Sequence, residues 1–309
     1  MRQTRGVDYE GLTDGERPPE DELERFAAGI DHPPLTDGER WARDELERLK
    51  GRRFAPGAMV RFVVAGCARA DERRRARPAL ARQAWGWMGA GGAAWVVLAL
   101  AGAEPFRRGV RGGLAWWGAT ALMVDWHLGM VETEDGRPRA LGPADALTLA
   151  RAWLVPVAAH APTPLVCVAA GASDVLDGHL ARAGEPTRIG RDLEGLVDAA
   201  FAVAALRGAL HRDWLGRPAA VGEAVRLGAG FAYALYVYFG RATAPDPAVT
   251  RAARITTPVR VAGLVVAGTG RRRLADALVA GGCAWSVGAV ARALVSRGPS
   301  APAASSSHR

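Results

Sequence analysis

The chain has 309 residues, of which 49% are hydrophobic, and it carries a formal net charge of +8 at pH 7. Its mean hydropathy is -0.00 because two regions of different composition are averaged. Residues 1–82 are charged throughout, whereas most of the remaining chain is Ala, Val, Leu and Gly. The three cysteines lie too far apart for a zinc motif or a disulfide framework, so neither kind of protein is expected.

Residues 1–82 form a polar N-terminal region that begins without the apolar run of a signal peptide. The region contains a repeat, because LTDGERPPEDELERF at 12–26 returns 23 residues later as LTDGERWARDELERLK at 35–50. Two copies are too few for a solenoid. Each copy predicts one short helix after a polar turn, and a duplicated partner-binding motif is an open alternative. We expect residues 1 to about 60 to be dispensable for chemistry, since the motifs described below lie beyond them.

A basic stretch at 68–83, ARADERRRARPALARQ, directly precedes the first apolar segment. The sequence pI of about 10.3 would suit a nucleic-acid-binding protein, but the other arginines are scattered through loops between apolar segments. The predicted partner is therefore an anionic lipid surface, and no nucleic acid is expected.

The rest of the chain predicts an all-α, polytopic membrane helix bundle. A bilayer core requires about 20 apolar residues per helix, and several segments approach that length without the polar face of a soluble amphipathic helix. Two membrane helices are predicted in 83–131 and six in 144–296, and the tail at 297–309 is expected to be disordered. Tryptophans near predicted helix ends, such as Trp116 and Trp117, are expected at the membrane interface. The predicted segments are 84–104, 112–131, 146–160, 163–182, 189–210, 219–240, 256–270 and 274–295.

Four carboxylates lie at helical spacing inside two of these segments, Asp174 and Asp177 in one and Glu194 and Asp198 in the next. At 3.6 residues per turn the acids of each segment share one face, so the two pairs can meet across a helix pair. Ionisable groups at membrane depth are costly and indicate a functional site by default. Clustered oxygen ligands suit Mg²⁺ or Mn²⁺ better than zinc.

A structural alternative needs no bound ion. Asp174 and Asp177 would end a helix near the membrane interface and pair with Arg182, while Glu194 would pair with Arg191. Small residues in fixed phase between the acids are harder to explain in this way.

The spacing resembles the signature of the CDP-alcohol phosphatidyltransferase family (class I), D-x-x-D-G-x-x-A-R followed by G-x-x-x-D-x-x-x-D. The first half is complete at 174–182, and the second half is Gly190, Glu194 and Asp198. The second half departs twice from the pattern. The connection before Gly190 is one residue shorter than usual, and Glu194 stands where the family normally has Asp.

A second stretch extends the resemblance. ADALTLARAWLVP at 144–156 resembles the family's first core helix, which often opens N-x-L-T-x-x-R, with Asp145 in place of Asn. The resemblance covers 144–296 as a six-helix core, and roughly the first 140 residues do not belong to it.

The resemblance implies a transferase of phospholipid biosynthesis that moves a phosphatidyl group from a CDP-linked lipid to a polar alcohol and releases CMP. Two divalent ions, Mg²⁺ or Mn²⁺, would neutralise phosphate charge, and Asp198 would be the general base. The implied metal ligands are Asp174, Asp177, Glu194 and Asp198. The implied CDP-binding residues are Gly178, Ala181, Arg182 and Gly190.

The same resemblance sets expectations for location and assembly. A CDP-linked lipid presents its nucleotide on the cytoplasmic side, so the connection at 183–189, the N-terminal region and the tail are placed in the cytoplasm. The protein is expected to be a multi-pass plasma-membrane protein and a homodimer. Its partners would be the two substrates and membrane lipids.

Weaker candidates for an acceptor pocket are Asp125 and His127, in DWHLGMVE at 125–132, together with Arg151. For Asp125 and His127 a structural hydrogen bond near the interface is the favoured alternative. The sequence does not specify the acceptor alcohol. The rival class of protein is a non-catalytic membrane lipid-binding or scaffold relic of the family, in which Glu194 and the shortened connection have removed turnover.

Overall fold

The structure, a computed structural model, describes residues 36–133, 136–184, 187–237 and 246–296. Within these ranges the chain forms ten α-helices and no β-strand, so the all-α prediction is confirmed. The helices are α1 (Asp37–Gly51), α2 (Pro56–Ala76), α3 (Pro78–Leu100), α4 (Phe106–Trp126), α5 (Pro143–His160), α6 (Pro164–Ala183), α7 (Arg188–His211), α8 (Arg217–Leu235), α9 (Pro247–Ala267) and α10 (Arg272–Ser296).

Each of the eight predicted segments overlaps one of the helices α3 to α10. The largest displacement is in α9, which begins at Pro247 and not at 256. Pro247 occupies the first turn, where its missing N–H is not needed, and the Asp246 carboxylate accepts a hydrogen bond from the Ala248 backbone N–H at 2.9 Å. This cap extends the helix by more than two turns beyond its apolar part.

The bundle is organised around α5, which packs against both α6 and α7. On one side α3 and α4 pair with each other, and α4 also contacts α5. On the other side α10 packs against α8 and α9, and α9 reaches α6. The helix of the preceding motif, α5, therefore contacts both helices that carry the signature.

The tryptophan expectation is wrong for Trp117, which is 7% exposed and lies in the middle of α4. Its indole N–H donates to the Met88 carbonyl at 2.7 Å. A Cβ on Gly91 would lie 2.3 Å from the Trp117 ring, so the absence of a side chain there lets α3 and α4 approach closely. Trp116 also points inward and donates to the Ala152 carbonyl at 2.8 Å.

The N-terminal region needs a correction at α2. Its first half carries an apolar face on which Met59, Val60, Val63 and Val64 are 47% to 63% exposed. The charged residues on either side, which include the basic stretch at 68–83, dominate the composition of residues 1–82. An apolar face of only two to three turns does not show in the average composition of these residues.

One described helix, at Arg272–Val295, is long and apolar enough to cross a membrane by length and composition, with a mean hydropathy of 1.6. Several other helices present large apolar side chains on the outside, including Leu100, Leu165 and Phe231. Crossing of the membrane by eight helices stays a prediction. The first repeat copy at 12–26 and the tail at 297–309 lie outside the described residues, and the expectations for them stay predictions as well.

Candidate active site

Three signature carboxylates meet where α6 and α7 face each other. Oxygen atoms of Asp174, Asp177 and Glu194 all lie within 4.8 Å of one another. Asp174 and Asp177 are three residues apart on α6, and Glu194 lies on α7. The fold therefore brings together the two halves of the sequence signature across one helix pair.

Arg151 of α5 lies against this cluster. Its side chain is 2% exposed, and its Nη2 lies 3.0 Å from Oδ2 of Asp177 and 3.5 Å from Oδ1 of Asp174. Its Nε lies 2.7 Å from Oδ1 of Asp198. One buried guanidinium thus faces three signature carboxylates. Arg151 is the shared cationic neighbour of these acids and also lines the cavity described below, so its predicted part in an acceptor pocket stays a prediction.

The donor set fits a divalent cation. Asp177 is buried, and its Oδ2 accepts a hydrogen bond from the Thr148 hydroxyl at 3.3 Å. Its Oδ1 is buried without a hydrogen-bond donor among the described residues. A buried carboxylate oxygen with no donor is costly, and one arginine does not balance four acids. A hard cation bound by carboxylate oxygens would satisfy both the atom and the charge.

Asp198 differs from the other three acids. Its side chain is 44% exposed, and it pairs with Arg151 at one wall of a cavity. It is not part of the group whose oxygens lie within 4.8 Å of one another. Its expected part in holding a metal stays a prediction, while its exposure and its pairing suit a group that meets substrate.

The first turn of α7 is fixed to α5 by Asp145. The Asp145 Oδ2 accepts from the Gly142 backbone N–H at 2.7 Å, and its Oδ1 accepts from the Thr187 hydroxyl at 2.5 Å. Thr187 in turn caps α7 by accepting from the Gly190 N–H at 3.0 Å. A Cβ on Gly190 would lie 2.6 Å from Asp145 Oδ1. A glycine is therefore required at position 190 for the close approach of Asp145. The predicted part of Gly190 in CDP binding stays a prediction.

A cavity of about 320 Å³ extends from the signature acids toward α8 and α9. Its lining includes two groups of charged side chains, Asp174, Asp198 and Arg151 from α5 to α7, and Glu223, Arg226 and Arg260 from α8 and α9. Much of the remaining lining is apolar, formed among others by Phe201, Leu206 and Leu264. The cavity therefore joins two groups of charged side chains inside the bundle.

The charged group on α8 and α9 was missed from the sequence. Glu223 accepts hydrogen bonds from Arg226 Nη2 at 2.7 Å and from Arg260 Nη1 at 2.6 Å, and the Cys283 thiol lies 2.9 Å from it. Nε of Arg260 is buried without an acceptor among the described residues. The available signal was a Glu and two Arg inside segments predicted to be membrane helices, which marks a functional site by default.

The remaining predicted site residues have different outcomes. Gly178 lies on α6 one residue after Asp177, and the side chains of Ala181 and Arg182 lie outside the described part of the chain. Asp125 is buried, forms an ion pair with Arg74 and accepts from the Trp85 N–H at 2.9 Å. His127 is bonded through Nδ1 to the Met123 carbonyl at 2.7 Å. Neither Asp125 nor His127 lines the cavity, and their contacts are those of the structural alternative.

These features define a class of protein: a helical bundle whose central helices present a carboxylate cluster, of the kind that binds divalent cations, beside an internal cavity. Residues 142–288 match the family described as CDP-alcohol phosphatidyltransferase, and this region is a domain of that family. The recognition from the signature is confirmed, and with it a general activity of CDP-alcohol phosphotransfer. No curated protein and no solved structure matches the chain.

Proposed function

We propose that the protein is a multi-pass membrane phosphatidyltransferase that moves a phosphatidyl group from a CDP-linked lipid to a polar alcohol and releases CMP. The observation that carries this proposal is the meeting of Asp174, Asp177 and Glu194 beside a cavity that also exposes Asp198. The large apolar side chains on the outside of several helices support a lipid environment.

The transfer is a single displacement at phosphorus. The acceptor hydroxyl oxygen forms a bond to the phosphorus that carries the lipid, and the bond from that phosphorus to the bridging oxygen breaks. CMP leaves with the bonding electrons. Asp198 accepts the hydroxyl proton, because it lines the cavity, pairs with Arg151 at 2.7 Å and lies outside the cluster of the other three acids.

Asp174, Asp177 and Glu194 would hold the metal, and two ions of the Mg²⁺ or Mn²⁺ kind stay our prediction. When bound, these cations supply charge neutralisation to the diphosphate of the donor. Arg151 orients Asp198 and shares the charge of Asp177. Gly178, Ala181, Arg182 and Gly190 are proposed to bind the CDP moiety.

The charged group on α8 and α9 supports an acceptor that carries a negative group. Arg226 and Arg260 together bring two positive charges against the single carboxylate of Glu223. The buried Nε of Arg260 remains available as a donor. Arginine is well suited to phosphate because its guanidinium donates two parallel hydrogen bonds. A phosphorylated alcohol is therefore the proposed acceptor class.

The proposed location is the plasma membrane with the active site facing the cytoplasm. The contact between Thr36 and Arg188 supports a common side for the N-terminal region and the connection before α7. A homodimer is proposed on family resemblance alone.

The test is CMP release by the full chain in detergent or nanodiscs, supplied with CDP-diacylglycerol and a panel of alcohols that includes glycerol phosphate and inositol phosphate. We expect release with a phosphorylated alcohol, its loss with excess chelator, and its recovery with added Mg²⁺ or Mn²⁺. Asp177→Asn provides the inactive control. If no alcohol supports release while Mn²⁺ still binds, the relic alternative is correct and the proposal fails.

A further inference from the structure

The start of α1, in the second repeat copy, contacts the helix that carries Glu194 and Asp198. The Thr36 hydroxyl accepts a hydrogen bond from Nη1 of Arg188 at 3.1 Å. Arg188 is the first residue of α7 and is 5% exposed. Its backbone N–H donates to the Glu132 carbonyl at 3.0 Å. A segment outside the family region is thus bonded to the first turn of a signature helix.

Asp37 fixes this segment to α2. Its Oδ2 accepts from Nη2 of Arg69 at 2.9 Å and from Nη2 of Arg73 at 2.5 Å. These guanidinium groups lower the pKa of Asp37, first through the Arg69 hydrogen bond and then through that of Arg73. The contribution of this contact is present at neutral pH and is lost only as the pH falls through that lowered pKa. The Arg69 guanidinium also lies 4.9 Å from the centre of the Trp41 ring of α1.

The turn between α4 and α5 encloses Thr36 from the other side. Gly136 has a φ of +80°, and a Cβ there would lie 3.1 Å from Cγ2 of Thr36. Arg77 donates to the Val131 carbonyl at 2.8 Å and also to the Arg139 carbonyl. We call residues 36–38, together with the side chains of Arg69, Arg73 and Arg188, the N-terminal clamp.

Glu194 and Asp198 are close enough to Arg188 for α7 to carry a displacement from the clamp to these carboxylates. Glu194 and Asp198 follow Arg188 by about 1.7 and 2.8 turns, which is about 9 and 15 Å along the axis. A displacement of the first turn therefore moves both carboxylates relative to Asp174 and Asp177. The connection that precedes this turn is one residue shorter than the family pattern, so an additional anchor at Arg188 has a physical purpose here.

We propose that Thr36 and Asp37 are positioning residues. They hold α7, through Arg188, at the position along its axis that brings Glu194 to Asp174 and Asp177. The inference rests on the proposed function because it assumes that the carboxylate cluster binds a metal ion. Its test measures Mn²⁺ binding and hydrogen exchange, neither of which requires turnover. It also limits the expected dispensability of the N-terminus to residues 1–35, because residues 36–38 reach the signature helix.

The repeat supplies a matched control for the test. Thr13 and Asp14 stand in the same LTDGER sequence as Thr36 and Asp37. The full-length variants are therefore Thr36→Val, Thr36→Ser and Thr13→Val, with Asp37→Ala and Asp14→Ala as a second pair in case Thr36→Val folds poorly. Thr36→Val keeps the shape of the side chain and removes the acceptor oxygen, and Thr36→Ser restores that oxygen.

Two quantities are measured: Mn²⁺ affinity by electron paramagnetic resonance, and amide hydrogen exchange at 187–192 in metal-free protein. We expect Thr36→Val and Asp37→Ala to weaken Mn²⁺ binding roughly tenfold, an effect within the range reported for substitutions that contact no ligand but couple to its site, and to speed exchange in this turn. Thr36→Ser, Thr13→Val and Asp14→Ala should match the parent protein in both measurements.

Unchanged Mn²⁺ affinity in folded Thr36→Val and Asp37→Ala would overturn the proposal. Equal weakening by Thr36→Ser and Thr36→Val would also overturn it, because the hydroxyl would then not matter. Absence of Mn²⁺ binding in the parent protein would also overturn the proposal, because there would then be no metal site to position. A parent that binds Mn²⁺ with the expected variant pattern but releases no CMP would leave the positioning role supported and the proposed activity refuted.

Discussion

Nε of Arg151 lies 2.7 Å from Oδ1 of Asp198, and the same guanidinium reaches Oδ2 of Asp177 at 3.0 Å. The arginine thus joins the signature acid that borders the cavity to the acid that is buried in the cluster. It can orient Asp198 toward a substrate hydroxyl while it competes with a cation for Asp177. These two effects have opposite consequences for catalysis and for metal binding.

Arg151→Gln is expected to lower kcat about 10²-fold, a loss typical of removing one positioned donor from an active site. Because a positive charge beside the carboxylates disappears, Mn²⁺ affinity should stay equal to that of the parent or increase. Steady-state CMP release and Mn²⁺ titration measure the two quantities. Arg151→Lys keeps the charge without the planar fork and should recover only part of the activity.

A Mn²⁺ affinity that falls together with kcat in folded Arg151→Gln would contradict this view. Arg151 would then be needed to build the carboxylate cluster itself. Arg254→Gln, an exposed arginine on α9 that does not line the cavity, is the control for loss of one arginine.

Glu194→Gln is expected to abolish CMP release and to weaken Mn²⁺ binding at least about tenfold, or about 1.4 kcal/mol, because it removes one anionic ligand. Glu194→Asp should also impair release, although it restores the usual family residue. Glu reaches about 1 to 1.5 Å further than Asp, and we predict that this reach compensates for the shortened connection before Gly190. Metal occupancy and CMP release are measured on all three proteins.

Full activity in Glu194→Gln would refute Glu194 as a ligand. Higher activity in Glu194→Asp than in the parent would show that the two departures from the signature do not compensate each other. Glu72→Gln, at an exposed acid of α2, controls for the loss of a carboxylate.

The helices and the carboxylate cluster could be predicted because both depend on short-range patterns. Apolar segments bounded by Arg, Pro and Gly mark α3 to α10, and helical periodicity alone places Asp174 and Asp177 on one face. The preceding motif carried a further signal. Thr148 and Arg151 lie three residues apart on α5, and both contact Asp177.

Contacts between residues distant in sequence could not be predicted. Arg74 meets Asp125 across 51 residues, and Arg188 meets Thr36 across 152. No local pattern records such pairs, since each arginine alone is equally compatible with a lipid headgroup. The burial of Trp117 could not be predicted for the same reason, because it depends on the pairing of α3 with α4.

Arg260→Gln is expected to raise the KM for a phosphorylated acceptor roughly tenfold or more, since hydrogen bonds to charged groups contribute about 1.5–3 kcal/mol. The change in kcat should be small, because Arg260 pairs with Glu223, outside the group of signature acids. Initial rates over a range of acceptor concentrations give both parameters. Arg254→Gln on the same helix should leave both unchanged, and an equal effect of the two variants would contradict an acceptor site at Arg260.

The exposed apolar face of α2 is expected to lie in the headgroup region of the membrane. This face combines Met59, Val60, Val63 and Val64 with flanking arginines, which is the composition of a helix that binds along an anionic membrane surface. Its apolar run of two to three turns is too short to span a bilayer, which needs about 20 residues. The helix also leads through Arg77 directly into α3, the first predicted membrane helix.

Cys67 reports on this face without mutagenesis, because it is exposed on α2 while Cys167 and Cys283 are buried. An environment-sensitive fluorophore on Cys67 should shift to the blue in liposomes that contain anionic lipid, and spin-labelled lipids should quench it most strongly near the headgroup. The control is the same fluorophore on Glu72→Cys in a Cys67→Ala background, about 140° around the helix from Cys67. A probe at Cys67 that is as accessible to aqueous quenchers as the probe at position 72 would place this face of α2 in water and refute the prediction.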